Sequence, residues 1–173
     1  EIITSDWSSD VCSSDLGTFD PVTRGHEDII RRAGALCDRL YVAVARGHHK
    51  QSLFSLEERL DLMRTVCADL HGNGEVIPVA FDGLLVDACR QYGASLIIRG
   101  IRSVADYEYE HQLSGMNRHL LPGVETVFLI TADRYSFVSS SLIRETARLG
   151  GDIGELVHPD VKNFLTVKVC KDC

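Results

Sequence analysis

The sequence predicts a doubly wound α/β domain with a parallel sheet, and three observations lead there. Four short runs, Leu40–Ala45, Val76–Ala80, Ser95–Ile98 and Thr126–Ile130, are apolar almost throughout. That is the pattern of strands covered on both faces, not of half-solvated antiparallel strands. Stretches of helical spacing separate them, so strand and helix alternate. The marked loops, Gly17–Pro21, Gly47–Phe54, Phe81–Leu85, Arg99–Arg102 and Asp133–Ser141, fall at the carboxyl ends of strands, where such sheets bind ligands.

Each element has its own warrant. After Gly25-His26, the apolar residues Ile29, Ile30, Ala33, Leu36 and Cys37 recur at helical spacing. Leu40–Ala45 follows as a buried strand. Ser55-Leu-Glu-Glu58 is a capping box that starts a helix toward Leu70. Val76–Ala80 is the next strand, and the helix from Leu84 to Tyr92 ends at Gly93 in the usual C-terminal position. Ser95–Ile98 leads to a helix over Val104–Leu120, and Thr126–Ile130 to one over Ser139–Leu149, with a last helix from about Pro159. The whole is a Rossmann-like single domain over residues 17–165 with a C-terminal helical segment, and 166–173 reads as a tail.

The first sixteen residues break the pattern. A doubly wound sheet needs an apolar strand directly before Gly17, but Ser8-Ser-Asp-Val-Cys-Ser-Ser-Asp15 repeats Ser-Ser-Asp and has few β-formers. With no basic start and no apolar stretch it is no signal peptide either. The expectation is that residues 1–16 are foreign and stand in place of the first strand, resembling translated read-through of a sequencing adapter.

Composition narrows the function classes. At 173 residues, 45% hydrophobic and 25% charged, the chain suits one globular domain with a sizeable core. A net charge of −7 argues against general nucleic-acid affinity while leaving room for a local basic pocket. No apolar run approaches the roughly 20 residues that span a bilayer. Of six cysteines, Cys37, Cys67 and Cys89 fall on apolar helix faces and read as small core residues. Cys170-Lys-Asp-Cys173 has C-x-x-C spacing with no second pair to complete a zinc site. This usage fits a reducing cytoplasm.

The chemistry concentrates in Gly17-Thr18-Phe19-Asp20-Pro21 followed by Thr23-Arg24-Gly25-His26. Glycine turns, a hydroxyl and a Gly-His opening a helix describe a phosphate-holding turn, because helix-terminal N–H groups attract anions. His26, in the first turn, can donate to a phosphoryl oxygen. Ser139, Ser140 and Ser141 open another helix, where hydroxyls and N–H groups suit phosphates. Ser139 as a simple N-cap, Lys50 beside His48 and His49 as solvated loop charge, and Asp106–Glu110 as a charged helix face are the bland alternatives.

With these motifs stand Lys50 ahead of Phe54-Ser-Leu-Glu-Glu-Arg59, Ile98-Arg-Gly-Ile-Arg102 leading to Asp106-Tyr-Glu-Tyr-Glu110, Met116-Asn-Arg-His119, and Tyr135-Ser-Phe-Val-Ser-Ser-Ser-Leu-Ile-Arg144. Together they resemble the bacterial phosphopantetheine adenylyltransferases, from Gly17 to about Leu165. The resemblance implies AMP transfer from ATP to 4′-phosphopantetheine, with dephospho-coenzyme A and pyrophosphate as products. It implies His26, Lys50, Thr18 and Arg99 as the catalytic set, and Thr18, Lys50, Leu85, Arg99 and Asn117 around phosphopantetheine. ATP would meet Thr18, Phe19, His26, Gly100, Ile101, Arg102, Glu110 and the run Tyr135, Ser136, Phe137, Val138, Ser139, Ser140 and Ser141. Magnesium is expected as phosphate counter-ion with no protein metal site, and the assembly as a homohexamer. Where the family carries an apolar strand and Tyr-Pro, this chain has Asp15-Leu16. The alternatives are another small-molecule nucleotidyltransferase, using nicotinate mononucleotide or a small phosphorylated alcohol, and a nucleotide- or coenzyme A-binding chain without turnover.

Overall fold

The computed structural model describes residues 10–13, 18–46, 52–70 and 74–171. Along the chain it contains β1 (Asp10–Ser13), α1 (Arg24–Gly34), β2 (Arg39–Ala45), α2 (Leu56–Ala68), β3 (Glu75–Phe81), α3 (Leu85–Tyr92), β4 (Leu96–Ile101), α4 (Val104–Leu120), β5 (Glu125–Ile130), a 3₁₀ turn at Asp133–Tyr135, α5 (Ser140–Arg148) and α6 (Pro159–Lys171). The five strands form one sheet in the order β3-β2-β1-β4-β5, every pair parallel. From the centre the chain winds outward through β2 and β3, then crosses back to β4 and β5. The reversal of direction places the switch point at the carboxyl end of β1, beside β4.

Helix starts follow local chemistry. Ser55 accepts from the Glu58 N–H at 3.1 Å while the Glu58 carboxylate accepts from the Ser55 N–H at 2.8 Å, the reciprocal box read from sequence. Ser103 and Ser139 cap α4 and α5 through the N–H groups of Asp106 and Leu142. Gly93 ends α3 with φ of 68°, a conformation that glycine enters without a Cβ penalty.

Two apolar clusters lie on opposite faces of the sheet. One joins Leu40, Val42, Val44, Leu96 and Ile98 to side chains of α1, α2, α5 and α6. The other joins Ala43 and Ile97 to Leu85, Ala88 and Cys89 of α3. The alternation of strand side chains is what divides them. Cys37, Cys67 and Cys89 are buried, Cys67 in α2 and Cys89 in α3 as predicted, whereas Cys37 lies beyond the end of α1 at Gly34.

The structure departs from the sequence reading in four places. Residues 10–13, where no strand was expected, occupy the central place of the sheet, with Val11 opposite Leu40 on one side and Leu96 on the other. A backbone can complete a ladder with residues of poor β-propensity when both neighbouring strands supply partners. Strand β4 runs on to Ile101, so Arg99, Gly100 and Ile101 are strand residues paired with Phe128, Leu129 and Ile130 and not loop residues. Coverage of the sheet is uneven: β3 and β5 are only half-buried, and no residue of α4 is fully buried. Finally, α6 continues through the segment read as a tail, because Val161, Leu165 and Val169 recur every four residues and all three are buried.

Candidate active site

The loop after β1 and the first turn of α1 form one unit. Thr23 is the N-cap of α1, and its backbone N–H donates to His26 Nδ1 at 3.0 Å. His26 sits at the third helical position, where Glu or Gln usually closes a capping box, and its imidazole plays that part. Because Nδ1 accepts, the neutral ring carries its proton on Nε2. The ring is half-buried and stacks edge-on against Phe19, with centroids 5.0 Å apart. Phe19 itself is buried with φ of 44°, a left-handed conformation that costs a bulky residue about 1–3 kcal/mol and persists only where its neighbours over-determine it.

Those neighbours are visible on both sides. Before Phe19, the Thr18 carbonyl accepts from Arg59 Nη1 at 2.7 Å. After it, the buried Asp20 carboxylate accepts from the N–H groups of Leu53 and Phe54, each at 2.8 Å. Arg144 of α5 bonds the Asp20 carbonyl and lies 3.3 Å from its carboxylate, and Ser140 Oγ donates to the Pro21 carbonyl at 2.8 Å. The N-terminus of α5 is thereby latched onto the loop that carries Thr18 and Phe19.

The segment between β5 and α5 folds over the same turn. Gly25 faces Tyr135 Cβ and Thr131 Cγ2, both within 4 Å of where a Cβ would stand. Asp28 accepts from Arg31, from Arg32 and from the Ala132 N–H, while Arg32 bonds the Ile130 carbonyl at 2.7 Å. Arg102 reaches across from the end of β4, bonding Asp106 and the Val138 carbonyl, each at 3.2 Å. Gly100 faces α1, where an added Cβ would lie 3.1 Å from Ile29 Cγ1, so helix and strand pack closely here and a larger residue would require Ile29 to give way.

Arg99 points the other way. Its side chain is 2% exposed, on the face of α3 and α4, and its Nε lies 2.9 Å from Glu110 Oε2. On α4 the less exposed positions Asp106, Glu110, Leu113, Ser114 and Asn117 form a stripe at helical spacing, so Asn117 shares the face of Glu110. Leu85 starts α3 and packs in the cluster around Ala43 and Ile97.

The residues singled out from sequence thus fall into two groups. Thr18, Phe19, His26, Gly100, Arg102 and Tyr135–Ser141 gather where α1 and α5 begin. Arg99, Glu110, Leu85 and Asn117 lie on the opposite face. Phe19, Leu85, Ile101 and Val138 are core side chains, leaving their main chain for any ligand. Ser139 does act as an N-cap, Ser140 holds Pro21, and Ser141 accepts from Arg144 at 3.3 Å, whereas Phe137 is exposed. Lys50, with Gly17, His48 and His49, lies outside the described residues. Among the described residues no group of three His, Cys, Asp or Glu stands together as a metal cage.

Sequence reasoning passed over Asp20, Asp28, Arg59 and Arg144 as site-builders. Arg59 did leave a signal: it sits four residues before Met63 on the apolar stripe of α2, where a charge is out of place. Burial pushes its guanidinium below the ordinary value, and the Asp20 carboxylate opposes that shift.

Comparison with known proteins bears on family and fold. The cytidylyltransferase-like family model matches residues 16–146. A protein of Aromatoleum aromaticum named phosphopantetheine adenylyltransferase is 53% identical over 153 residues, covering 88% of this chain and 92% of its own. One of the same name from Paraburkholderia phytofirmans is 50% identical over 153 residues, covering 88% of each chain. A solved structure from Vibrio parahaemolyticus, described as a nicotinate-nucleotide adenylyltransferase, superimposes with a TM-score of 0.60 over 94% of both chains at 12% identity, which is a likeness of fold.

Proposed function

The chain belongs to the phosphopantetheine adenylyltransferases within the cytidylyltransferase-like family, and we propose that it transfers AMP from ATP to 4′-phosphopantetheine, releasing pyrophosphate and forming dephospho-coenzyme A. The observation that carries the mechanism is the division of the site. A helix-terminal phosphate cradle with His26 lies on one face of the sheet, and the buried Arg99–Glu110 pair lies on the other.

The acceptor arrives as a phosphate anion, so no general base is required. An acceptor oxygen bonds to the α-phosphorus as the bond to the pyrophosphate oxygen breaks. Catalysis reduces to holding two polyanions in line and stabilising the charge that spreads over the α-phosphoryl oxygens. Nε2–H of His26 is the donor for those oxygens, its direction set by the Thr23 N–H behind the ring. Thr18 meets the acceptor phosphate, with Lys50 and Arg99 countering its repulsion from the triphosphate. Glu110 holds the Arg99 side chain in place until an anion competes for it. The N-terminus of α5, a helix of nine residues, faces the β- and γ-phosphates. Magnesium, where bound with the triphosphate, would supply counter-charge to the phosphates, and no residue of this chain is assigned to hold it.

We extend the proposal to assembly, to location and to the N-terminus. Helix α4 buries no residue and exposes Val104, Tyr109 and Met116, while Ile130 at the end of β5 is 72% exposed. An apolar surface of this kind supports self-association, with the homohexamer as the expected state. No helix among the described residues is long and apolar enough to cross a membrane, and a cytoplasmic location is the reading that goes with a biosynthetic enzyme of this family. Residues 1–16 are read as foreign, a reading supported by a family match that begins at residue 16.

A pyrophosphate-release assay with ATP, magnesium and 4′-phosphopantetheine tests the reaction. The chain as given is run beside one whose first sixteen residues are replaced by an apolar strand ending Tyr-Pro. Turnover in both establishes the enzyme, and turnover only in the repaired chain also marks the N-terminus as foreign. A folded, repaired chain that releases no pyrophosphate refutes the reading, with nicotinate mononucleotide as the next acceptor to try. Light scattering behind size-exclusion chromatography reads the assembly, and a monomer at assay concentration refutes the hexamer.

A further inference from the structure

Arg59 is a large side chain only 2% exposed, and its guanidinium meets main-chain oxygens throughout. Nη1 donates to the carbonyls of Thr18 and Ala45, both at 2.7 Å, Nη2 to that of Arg46 at 3.1 Å, and Nε to that of Phe54 at 3.3 Å. Burying an ionised guanidinium is costly unless its donors are met. A packing role alone calls for no charge at this place, since Met63 and Val66 fill the same helix face with apolar atoms.

The acceptors have a common location. Thr18 lies in the loop after β1, Ala45 ends β2 and Arg46 follows it, all at the carboxyl end of the strands, where such sheets bind ligands. One planar group therefore fixes the Thr18 carbonyl against the end of the neighbouring strand. The residue next to Thr18 is Phe19, whose left-handed conformation has to be imposed from outside. Asp20, on its far side, is held by the N–H groups of Leu53 and Phe54, and the Phe54 carbonyl is itself an Arg59 acceptor. The strained residue is clamped at both ends by a single buried network.

From this geometry we infer that Arg59 is a positioning residue for adenylyl transfer, setting the place of Thr18 without touching either substrate. The inference rests on the reading of Thr18 as the group that meets the acceptor phosphate. A lysine keeps the charge but lacks the fork that reaches several carbonyls at once. A glutamine keeps hydrogen bonding to part of the set without the charge.

The test uses the full chain with Arg59→Lys and Arg59→Gln, each also combined with Thr18→Ala. Folding is checked by circular dichroism and a cooperative melt, and steady-state constants are taken for both substrates. In a folded variant turnover falls roughly 100-fold, the cost that a misplacement of about 1 Å can carry. The KM for phosphopantetheine rises, while that for ATP moves less than about threefold. Thr18→Ala, costly in the parent, costs less than about twofold in the Arg59 background, because Thr18 is already misplaced there. Parental turnover in either folded variant overturns the inference, and so do multiplying penalties for Arg59 and Thr18. If neither variant folds, Arg59 is a framework residue and the assignment falls. A parent chain that folds but is silent refutes the functional reading and removes the premise with it, an outcome distinct from a working parent with unaffected variants.

Discussion

Replacing His26 by Ala separates the two jobs that the structure gives this side chain. Structurally the imidazole accepts the Thr23 N–H at 3.0 Å and packs edge-on against Phe19. A lost hydrogen bond of this kind costs about 0.5–1.5 kcal/mol and an aromatic edge contact a similar amount. The other half of the capping box, Thr23 Oγ1 accepting from the His26 N–H, survives in Ala. The stability loss is therefore about 1–3 kcal/mol, and at about 2–4 °C per kcal/mol for a chain of this size the melting temperature falls by roughly 2–12 °C. Catalytically, losing one donor to the transition-state oxyanion costs about 2.7–4 kcal/mol, or 10²–10³ in turnover. At 25 °C the folded fraction changes little, so turnover reports the chemistry alone.

His26→Gln sharpens the comparison. Its amide oxygen can accept the Thr23 N–H, as Gln does in ordinary capping boxes, so most of the lost stability returns. No Nε2–H is restored at the same place, and turnover stays down by about 10² or more. Pyrophosphate release and thermal melts on the same preparations decide the matter. Parental turnover in His26→Ala refutes the catalytic assignment. Turnover in His26→Gln that recovers in step with its melting temperature shows the ring to be a cap and nothing more.

Other consequences are open to direct measurement. Burial, helped by the charge of Glu27, pushes the Cys67 thiol up to about 12, so mapped alkylation of the native chain at pH 8 should label exposed Cys170 and spare Cys67 until denaturant is added. Gly100→Ala sets a methyl 3.1 Å from Ile29 Cγ1, and chemical denaturation should show a loss of about 1–3 kcal/mol as α1 is pushed from the sheet. Burial tends to raise the Glu58 carboxyl, but Lys168 and the Ser55 N–H outweigh it and hold it below its ordinary value. Its contribution is therefore complete above about pH 4.5, the ordinary value, and is lost as pH falls through the lower folded-state value. Melts across pH 7 to 3 should show a smaller acid-induced drop in Glu58→Gln than in the parent.

How much of this was legible in the sequence depends on which physical effect carried each feature. The helices of the core and four strands were readable because burial writes itself as periodicity, and caps such as Ser55 with Glu58 write themselves as spacing. His26 was readable because a histidine after glycine at a helix start has little to do in a core. The end of β4 was not: Arg99 looks like a loop residue until Glu110, eleven positions on, is folded back to pair with it. The same holds for Asp20, whose partners are main-chain groups of a distant segment, whereas Arg59 left only the mark of a charge on an apolar helix stripe and no sign of the carbonyls it meets.

The central strand makes the point most sharply. Its place was sought by side-chain type, and Asp10-Val-Cys-Ser13 lacks the apolar pattern of its neighbours. Yet β2 and β4 each present an edge of unpaired donors and acceptors spaced for one strand between them, and a backbone of almost any sequence can satisfy both ladders. What an apolar strand would add is side-chain burial, about 1.5–3 kcal/mol for each large aliphatic residue. The two contributions are separable by experiment. If the ladder alone suffices, replacing residues 1–16 by an apolar strand raises the melting temperature and leaves turnover per folded molecule unchanged. If turnover per folded molecule also rises, the strand's side chains act on the loop that carries Thr18, and the site depends on a core that the first sixteen residues do not supply.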